Sequence, residues 1–323
     1  MTRILVTPRS LTAAGLDRVD ALGALRERGW ELVPGPAGRQ PDPADLHDLL
    51  PGIDGWICGV ETVSADVLRS ADRLRVISRN GVGAESVDLA AAGARGIRIV
   101  LARGANSRGV AELAVAHMLG ALRDIPAADR ALHAGDWVRR QGRELADSVV
   151  GIVGFGAIGR LVARLVQAFG ADVRAYDPFA IIDMPGVQQA TLEELFAECD
   201  VITLHSPPPA DGAPLVGSAL LARSAPGTVL VNTARSALVD QDAVRLALED
   251  GRLLAYAVDA FDEEPPVLNG LLRHPRTIMT PHVGGFTAAS VERATEQAVA
   301  NLIDALADPS PASAGAARAD AAS

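Results

Sequence analysis

Three polar side chains late in the sequence each follow an apolar run that reads as a buried strand. Arg235 ends the segment VNTAR, Glu264 lies in DEEPP, and His282 lies in TPHVGG. Loops that follow parallel strands collect at the carboxyl edge of the sheet, where such folds bind ligands, so we expect the three side chains to share one rim. A fixed cation, a carboxylate and an imidazole at one rim indicate acid–base catalysis.

A glycine-rich segment earlier in the sequence indicates which cofactor binds beside these three side chains. Residues 149–159, VVGIVGFGAIG, are an apolar strand that runs into three spaced glycines, Gly154, Gly156 and Gly159, and then into a helix. The glycines allow a tight turn, close approach of a pyrophosphate and close packing of helix on strand. Asp177 ends the next strand, where a carboxylate binds the hydroxyls of an adenine ribose and repels a 2′-phosphate. The pattern predicts NAD rather than NADP.

The elements that would position these residues follow an α/β pattern. Short β-branched runs alternate with amphipathic stretches from residue 1 to about 100, and the alternation returns over residues 149–281. This pattern predicts two doubly wound parallel sheets. We expect one long helix over residues 108–132 to lead into the second domain. A final helix over residues 288–307 has no strand after it, so we expect it to pack back on the first domain.

Packing of the last helix on the first domain determines the predicted domain boundaries. Residues 1–101 and 285–307 are expected to form a discontinuous substrate domain, and residues 102–284 an NAD-binding domain. A ligand cleft is expected between the two. Residues 308–323 are rich in Ala, Ser and Gly and are expected to form a disordered tail.

Composition narrows the classes of function. The chain has 323 residues and a formal net charge of −10, which gives no electrostatic case for a nucleic acid or an anionic membrane as partner. No lysine is present, so mechanisms that use a lysine base or a Schiff base are excluded. Cys58 and Cys199 form no metal motif, and no metal is predicted. No apolar stretch could span a bilayer and no leader precedes the first strand, so a cytoplasmic location is expected.

Together these segments resemble the D-isomer-specific 2-hydroxyacid dehydrogenases, a family of NAD-dependent two-domain enzymes. The resemblance covers almost the whole chain and includes residues 78–89, 104–119 and 135–137, the glycine fingerprint with Asp177, and LHSPP, VNTAR, VDAFDEEP and TPHVGG. It implies an α/β fold of two doubly wound parallel-sheet domains, with a Rossmann NAD-binding domain inserted in a flavodoxin-like substrate domain. It also implies a homodimer built on the helix over residues 108–132 and a small 2-oxo or 2-hydroxy acid as substrate.

The resemblance implies a role for each matching position. Arg235 would bind the substrate carboxylate, Glu264 would orient and charge the histidine, and His282 would exchange the proton. The positions expected along the cofactor are Gly154, Gly156, Ala157, Ile158, Gly159, Asp177, Ser206, Thr233, Asp259 and Gly285. The positions expected at the substrate are Arg79, Val82, Gly83 and Arg235.

Four residues depart from the family pattern. Ser236 stands where the family usually has glycine, so either the preceding loop is reshaped or the position tolerates a side chain. Glu85 and Ser86 replace the usual aspartate and asparagine of a loop in the substrate domain. Cys58 falls where phosphoglycerate-type members carry a second phosphate-binding arginine. Phosphoglycerate therefore stays open as a substrate but is not favoured.

Two functions from different classes stay open. The first is an enzyme that interconverts a D-2-hydroxy acid and its 2-oxo acid with NAD(H). The second is an NADH-sensing binding protein without turnover, against which the absence of lysine and of any basic segment argues only weakly. The other histidines are interpreted as structural. These are His47, His117, His133 and His274, together with His205, which is expected only to shape the cofactor wall.

Overall fold

The computed structural model describes residues 1–308, which divide into two compact units. One unit contains residues 1–106 and the segment from Ala288 onward, and the other is the continuous segment of residues 107–287. The expected disordered tail therefore lies, from residue 309 on, outside the described residues.

The first unit is built on a five-stranded parallel sheet. Its strands are β1 (Arg3–Val6), β2 (Glu31–Pro34), β3 (Gly55–Cys58), β4 (Val76–Arg79) and β5 (Arg98–Leu101). Their order across the sheet is β2-β1-β3-β4-β5, which is the flavodoxin-like order. Its helices are α1 (Arg9–Ala14), α2 (Gly23–Arg26), α3 (Pro43–Leu49), α4 (Ala65–Arg69), α5 (Leu89–Ala94) and α12 (Ala288–Ala307).

Helix α12 completes the core of the first unit. Ala298 and Leu302 are fully buried with the apolar side chains of β1, β3 and β4. The Ser78 hydroxyl in β4 donates to the Ala298 carbonyl at 2.8 Å, and Asn301 donates to the Leu101 carbonyl at 2.9 Å. The helix therefore belongs to the sheet formed by the first hundred residues.

The second unit is built on a seven-stranded parallel sheet. Its strands are β6 (Val149–Val153), β7 (Asp172–Tyr176), β8 (Val187–Gln189), β9 (Val201–Leu204), β10 (Thr228–Asn232), β11 (Leu253–Val258) and β12 (Thr277–Met279). Its helices are α6 (Ser107–Leu122), α7 (Ile125–His133), α8 (Ala157–Ala168), α9 (Leu192–Glu198), α10 (Ser218–Leu221) and α11 (Gln241–Glu249). The strand order is β12-β11-β10-β9-β6-β7-β8, so the order reverses between β6 and β9. The predicted α/β fold with two doubly wound parallel sheets is confirmed.

Burial explains why these runs form strands. Every residue of β9 and β10 is buried, as expected for strands covered by helices on both faces. Short polar residues begin the covering helices. Thr191 caps α9 in a capping box with Glu194, and the Asp240 carboxylate caps α11 by accepting from Ala243 N.

The expected single helix over residues 108–132 is wrong in one respect, because the structure has two helices there. Helix α6 ends at Leu122 and α7 begins at Ile125. Asp124 between them has φ of 53°, in the left-handed region, and Pro126 follows in the first turn of α7. Edge strand β8 was not predicted either, since its two glutamines are exposed and give no apolar signal.

Candidate active site

The candidate residues of the second unit lie in loops after consecutive strands of one parallel sheet. Across the sheet, they follow β12, β11, β10, β9, β6 and β7 in turn. In that order the residues are His282, then Glu264 and Asp259, then Arg235 and Thr233, then Ser206, then the glycine loop, then Asp177. Because all seven strands are parallel, these loops share the carboxyl edge.

The glycine loop has the shape that a pyrophosphate requires. Gly154 has φ of 91°, and a Cβ there would lie 2.6 Å from the His205 carbonyl. A Cβ on Gly159 would lie 2.1 Å from the Gly154 carbonyl oxygen, so only glycine lets α8 approach β6 this closely. A Cβ on Gly156 would meet nothing within 4 Å, and no side chain caps the N-terminus of α8. The backbone at Gly156, where α8 begins, therefore has open space beside it, as an anion site at a helix N-terminus needs.

Asp177 lies at the end of β7 with its carboxylate bonded to two loops. One oxygen accepts from Phe155 N at 2.7 Å, and the other accepts from Phe179 N at 2.8 Å and Ala180 N at 3.0 Å. Burial acts to raise the pKa of Asp177, but these three backbone donors together hold it below its ordinary value. The side chain is therefore a carboxylate at neutral pH, and its predicted contact with a ribose stays a prediction.

Two hydroxyls between these points lack protein partners. Ser206 Oγ after β9 and Thr233 Oγ1 after β10 are buried and make no hydrogen bond within residues 1–308. A buried polar atom without a partner is costly, so both hydroxyls suit the polar groups of a bound ligand. From β7 to β10 the edge spans three strand spacings, or about 14 Å, which suits two nucleotides laid end to end. The residues present fit a dinucleotide cofactor.

His282 and Glu264 form the closest candidate pair. His282 Nδ1 and Glu264 Oε1 lie 2.6 Å apart, and the two side chains are 48% and 42% exposed. The same glutamate oxygen accepts from Phe261 N at 3.3 Å. A carboxylate on Nδ1 fixes the ring orientation and leaves Nε2 as the nitrogen that can exchange a proton with a substrate.

Arg235 is presented by a loop that its neighbours shape. The Asn232 side chain donates to the Arg235 carbonyl at 2.8 Å and accepts from Ala234 N at 3.1 Å. The guanidinium donates to the Ala234 carbonyl at 2.9 Å. Ser236 Oγ, at the position where the family usually has glycine, donates to Asp262 Oδ1 at 2.5 Å. The serine therefore ties the Arg235 loop to the loop that carries Glu264.

Asp259 contacts the histidine loop in this structure. Its carboxylate is buried and accepts from Thr280 Oγ1 at 2.6 Å, Val283 N at 2.9 Å and Gly284 N at 2.8 Å. Its role along the cofactor stays a prediction. Sequence reasoning missed this support of the turn over residues 280–284, for which one signal is the polar Thr280 between an apolar run and a proline.

Arg79 in the first unit is buried and is not exposed on the surface. It is 6% exposed, and its guanidinium donates to the Gly83 carbonyl at 3.0 Å and approaches Cys58 Sγ at 3.8 Å. Arg79 thereby supports the loop that contains Val82 and Gly83, and its predicted contact with substrate stays a prediction. Glu61, which has no motif around it in the sequence, is buried and accepts from Thr7 Oγ1 and Gly59 N.

Other kinds of site find no support among the described residues. Residues 1–308 contain no group of three or more histidine, cysteine or acidic side chains that could hold a metal ion. Cys58 and Cys199 are free and buried. Within the same residues, every helix is too short or too polar to cross a bilayer.

The family comparison identifies the glycine-loop unit. Residues 115–284 match the family model described as the D-isomer specific 2-hydroxyacid dehydrogenase, NAD binding domain. That range contains the glycine fingerprint, Asp177 and the Arg235, Glu264 and His282 positions, so the chain carries an NAD-binding domain.

Individual relatives agree with that match. The chain is 39% identical over 260 residues to D-3-phosphoglycerate dehydrogenase of Mycobacterium tuberculosis, covering 79% of this chain and 49% of the relative. The chain thus spans about half the length of the curated relatives it matches. The crystal structure of a Thermus thermophilus protein is 33% identical with a TM-score of 0.83, covering 97% of this chain and 100% of that chain. A glyoxylate reductase structure from Paecilomyes thermophila is 26% identical with a TM-score of 0.80, covering 96% and 97%. The chain therefore belongs to the D-isomer-specific 2-hydroxyacid dehydrogenase family.

Proposed function

We propose that this protein is an enzyme that interconverts a D-2-hydroxy acid and its 2-oxo acid with NAD(H). The observation that carries the proposal is the pair of His282 Nδ1 and Glu264 Oε1 at 2.6 Å on the same sheet edge as the dinucleotide site. An acid–base pair beside a nicotinamide cofactor is what reversible reduction of a carbonyl requires.

Each side chain has a distinct task in that reaction. NAD(H), when bound, supplies or accepts the hydride. Arg235 binds the substrate carboxylate with its planar guanidinium and holds the carbonyl in place. His282 Nε2 gives a proton to the carbonyl oxygen during reduction and takes it back during oxidation. Glu264 accepts a hydrogen bond from His282 Nδ1–H and so orients the ring, and such a positioned acid contributes about 10²–10⁴ in rate.

The substrate class that we propose is an unphosphorylated 2-oxo or 2-hydroxy acid. The guanidinium of Arg79 is already bonded to the Gly83 carbonyl and lies against Cys58 Sγ in the buried interior of its unit. A phosphate needs cationic donors that are free to bind it. We further propose that Arg79 acts by holding the loop whose Val82 and Gly83 amides bind the substrate.

We also propose that the protein is a homodimer. Large apolar side chains on and after α7 are exposed, as in a surface that another chain covers. These are Ile125 at 54%, Leu132 at 56%, Trp137 at 81% and Val138 at 52% exposed. The compartment that we propose is the cytoplasm, where thiols such as Cys58 and Cys199 stay reduced.

The decisive experiment measures loss of NADH absorbance with a panel of 2-oxo acids, including glyoxylate, hydroxypyruvate and phosphohydroxypyruvate. We expect turnover with unphosphorylated acids and its loss in His282→Ala, while NADH binding by fluorescence stays close to wild type. His133→Ala, which removes an exposed histidine on α7, is the matched control. NADH binding without turnover of any acid would instead favour the NADH-sensing protein.

A further inference from the structure

A buried histidine that the proposed mechanism does not use lies beneath the catalytic loop. His117 is 4% exposed in the middle of α6, a helix that otherwise presents apolar residues to the sheet. Its Nε2 lies 3.0 Å from Thr280 Oγ1, 163 residues further along the chain. Thr280 comes two residues before His282.

The direction of each hydrogen bond in this cluster is fixed. Thr280 Oγ1 has a single proton, which it donates to Asp259 Oδ1 at 2.6 Å. It can therefore only accept from His117, whose Nε2 must carry a proton. Burial lowers the pKa of His117, against the opposing charge of Asp259, so the ring is neutral with Nε2–H as donor. The result is a chain of two hydrogen bonds, the relay, in which His117 donates to Thr280 and Thr280 donates to Asp259.

Asp259 connects these hydrogen bonds to the backbone on both sides of His282. The carboxylate is 2% exposed, and it accepts from Val283 N and Gly284 N on the far side of His282 as well as from Thr280 on the near side. A Cβ on Gly284 would lie 3.0 Å from the Asp259 carboxylate, a tight contact that would push the carboxylate away by a few tenths of an ångström. The turn over residues 280–284 is therefore held at both ends by one carboxylate.

His282 depends on that support because its backbone is unfavourable. Its φ is 52°, in the left-handed region, and its amide donates to the Thr280 carbonyl at 2.9 Å. A residue other than glycine stays in this region only when surrounding bonds determine it. The conformation in turn places Nδ1 at 2.6 Å from Glu264.

We propose that His117 is a positioning residue, which acts through Thr280 and Asp259 to hold the His282 imidazole against Glu264. This inference rests on the proposed function for its kinetic consequences, but the relay itself can be measured without turnover. Removal of one member should leave the fold and the cofactor site in place and misplace the acid, and a misplacement of about 1 Å can cost up to about a hundredfold in rate.

The test compares variants that differ only in hydrogen bonding. Thr280→Val removes the hydroxyl and keeps the shape, whereas Thr280→Ser keeps the hydroxyl. His117→Leu removes the donor, whereas His117→Gln supplies an amide donor. Met118→Leu, the next and equally buried residue of α6, controls for packing.

We expect kcat to fall at least about tenfold in His117→Leu and Thr280→Val, and to stay within about threefold of wild type in Thr280→Ser, His117→Gln and Met118→Leu. NADH affinity, the KM of the 2-oxo acid and the melting temperature should stay near wild type. Since the two residues act in series, the double variant should be no slower than Thr280→Val alone. Wild-type kcat in His117→Leu, additive losses, or parallel losses of NADH binding and of fold would overturn the relay.

A second readout separates the relay from the reaction. Diethylpyrocarbonate modifies exposed imidazoles, and His282 is 48% exposed, so its modification rate can be followed by mass spectrometry of the peptide. We expect this rate to change at least about threefold in His117→Leu and not in Met118→Leu. A wild-type chain that turns over no 2-oxo acid would refute the proposed function and leave this measurement valid, whereas an unchanged rate in His117→Leu would refute the relay alone.

Discussion

His205 allows a quantitative test of how the cofactor side of the sheet depends on pH. It follows β9, with Nε2 at 2.9 Å from Thr203 Oγ1, and its Nδ1 is buried without a partner in residues 1–308. Burial lowers the pKa of His205 to about 3. The folded protein therefore holds this ring neutral throughout the range in which a free histidine becomes charged.

The magnitude follows from the difference between the folded and unfolded pKa values. An unfolded histidine has a pKa of about 6.5, so the unfolded chain binds a proton below that pH and the folded chain does not until about pH 3. Because the folded pKa is depressed, the stability due to the neutral ring is complete above about pH 6.5 and is lost as the pH falls towards 3. At pH 5 the loss is about 2 kcal/mol, and a folded pKa one unit higher would change this by only about 0.05 kcal/mol.

The perturbation is His205→Gln, which cannot take up the proton. Urea unfolding followed by circular dichroism at pH 8 and pH 5 gives the change in unfolding free energy for each protein. We expect the variant to lose about 2 kcal/mol less than wild type between the two values of pH. His133→Gln, at an exposed position, should follow wild type. Equal losses in wild type and His205→Gln, or a His205 ring that titrates near pH 6.5 by NMR, would refute the reasoning.

Three further changes probe the nucleotide loop, and a fourth probes the arginine loop. Gly156→Ala adds a Cβ with no atom within 4 Å, so urea unfolding should match wild type while NADH affinity by fluorescence titration falls about tenfold; unchanged affinity would contradict a pyrophosphate at this loop. Gly159→Ala places a Cβ 2.1 Å from the Gly154 carbonyl oxygen and should lower the unfolding free energy by about 2 kcal/mol, which an unchanged urea midpoint would disprove. Asp177→Ala should weaken NADH binding about tenfold and NADPH binding less, and equal losses in the two titrations would argue against a ribose contact. Ser236→Gly breaks the bond to Asp262 and should raise the KM of the 2-oxo acid about threefold with no change in NADH affinity; steady-state kinetics with wild-type KM would show that the bond does not matter.

Much of the fold could be predicted because its signals are local. The last helix was expected over residues 288–307 and spans Ala288–Ala307, since its apolar periodicity is continuous. Buried strands such as β10 (Thr228–Asn232) read as apolar runs because both faces of the sheet are covered. The parallel order then follows from the alternation of strands and helices.

Other features could not be predicted from the sequence because they depend on single backbone positions. The apolar pattern continues through Asp124, but this residue adopts φ of 53° and ends the periodicity between Leu122 and Ile125. Its side chain tolerates the left-handed region, and Pro126 then starts a new helix. A pattern of residue types alone does not register a change of one dihedral angle.

The candidate site likewise has some features that could be predicted from the sequence and others that could not. The glycine loop and the positions after strands could be predicted, because sequence order in a parallel sheet determines which loops share an edge. The bonds around Asp259 could not, since its partner Thr280 lies 21 residues further along the chain, and His117, which bonds Thr280, reaches it only through packing of α6 on the sheet. A second sequence signal, besides Thr280, is the buried His117 in a mostly apolar helix, which sequence alone interprets as structural.

The membership of α12 in the first unit has a consequence during synthesis. The sheet of the first hundred residues leaves the ribosome early, but the helix that covers β3, β4 and β5 follows about 200 residues later. At about 5–20 residues per second this delay is about 10–40 s. The nascent chain therefore exposes an apolar sheet face while the continuous unit of residues 107–287 emerges whole and can fold ahead of it. Chaperone dependence should accordingly concentrate on the amino-terminal unit, although it is translated first.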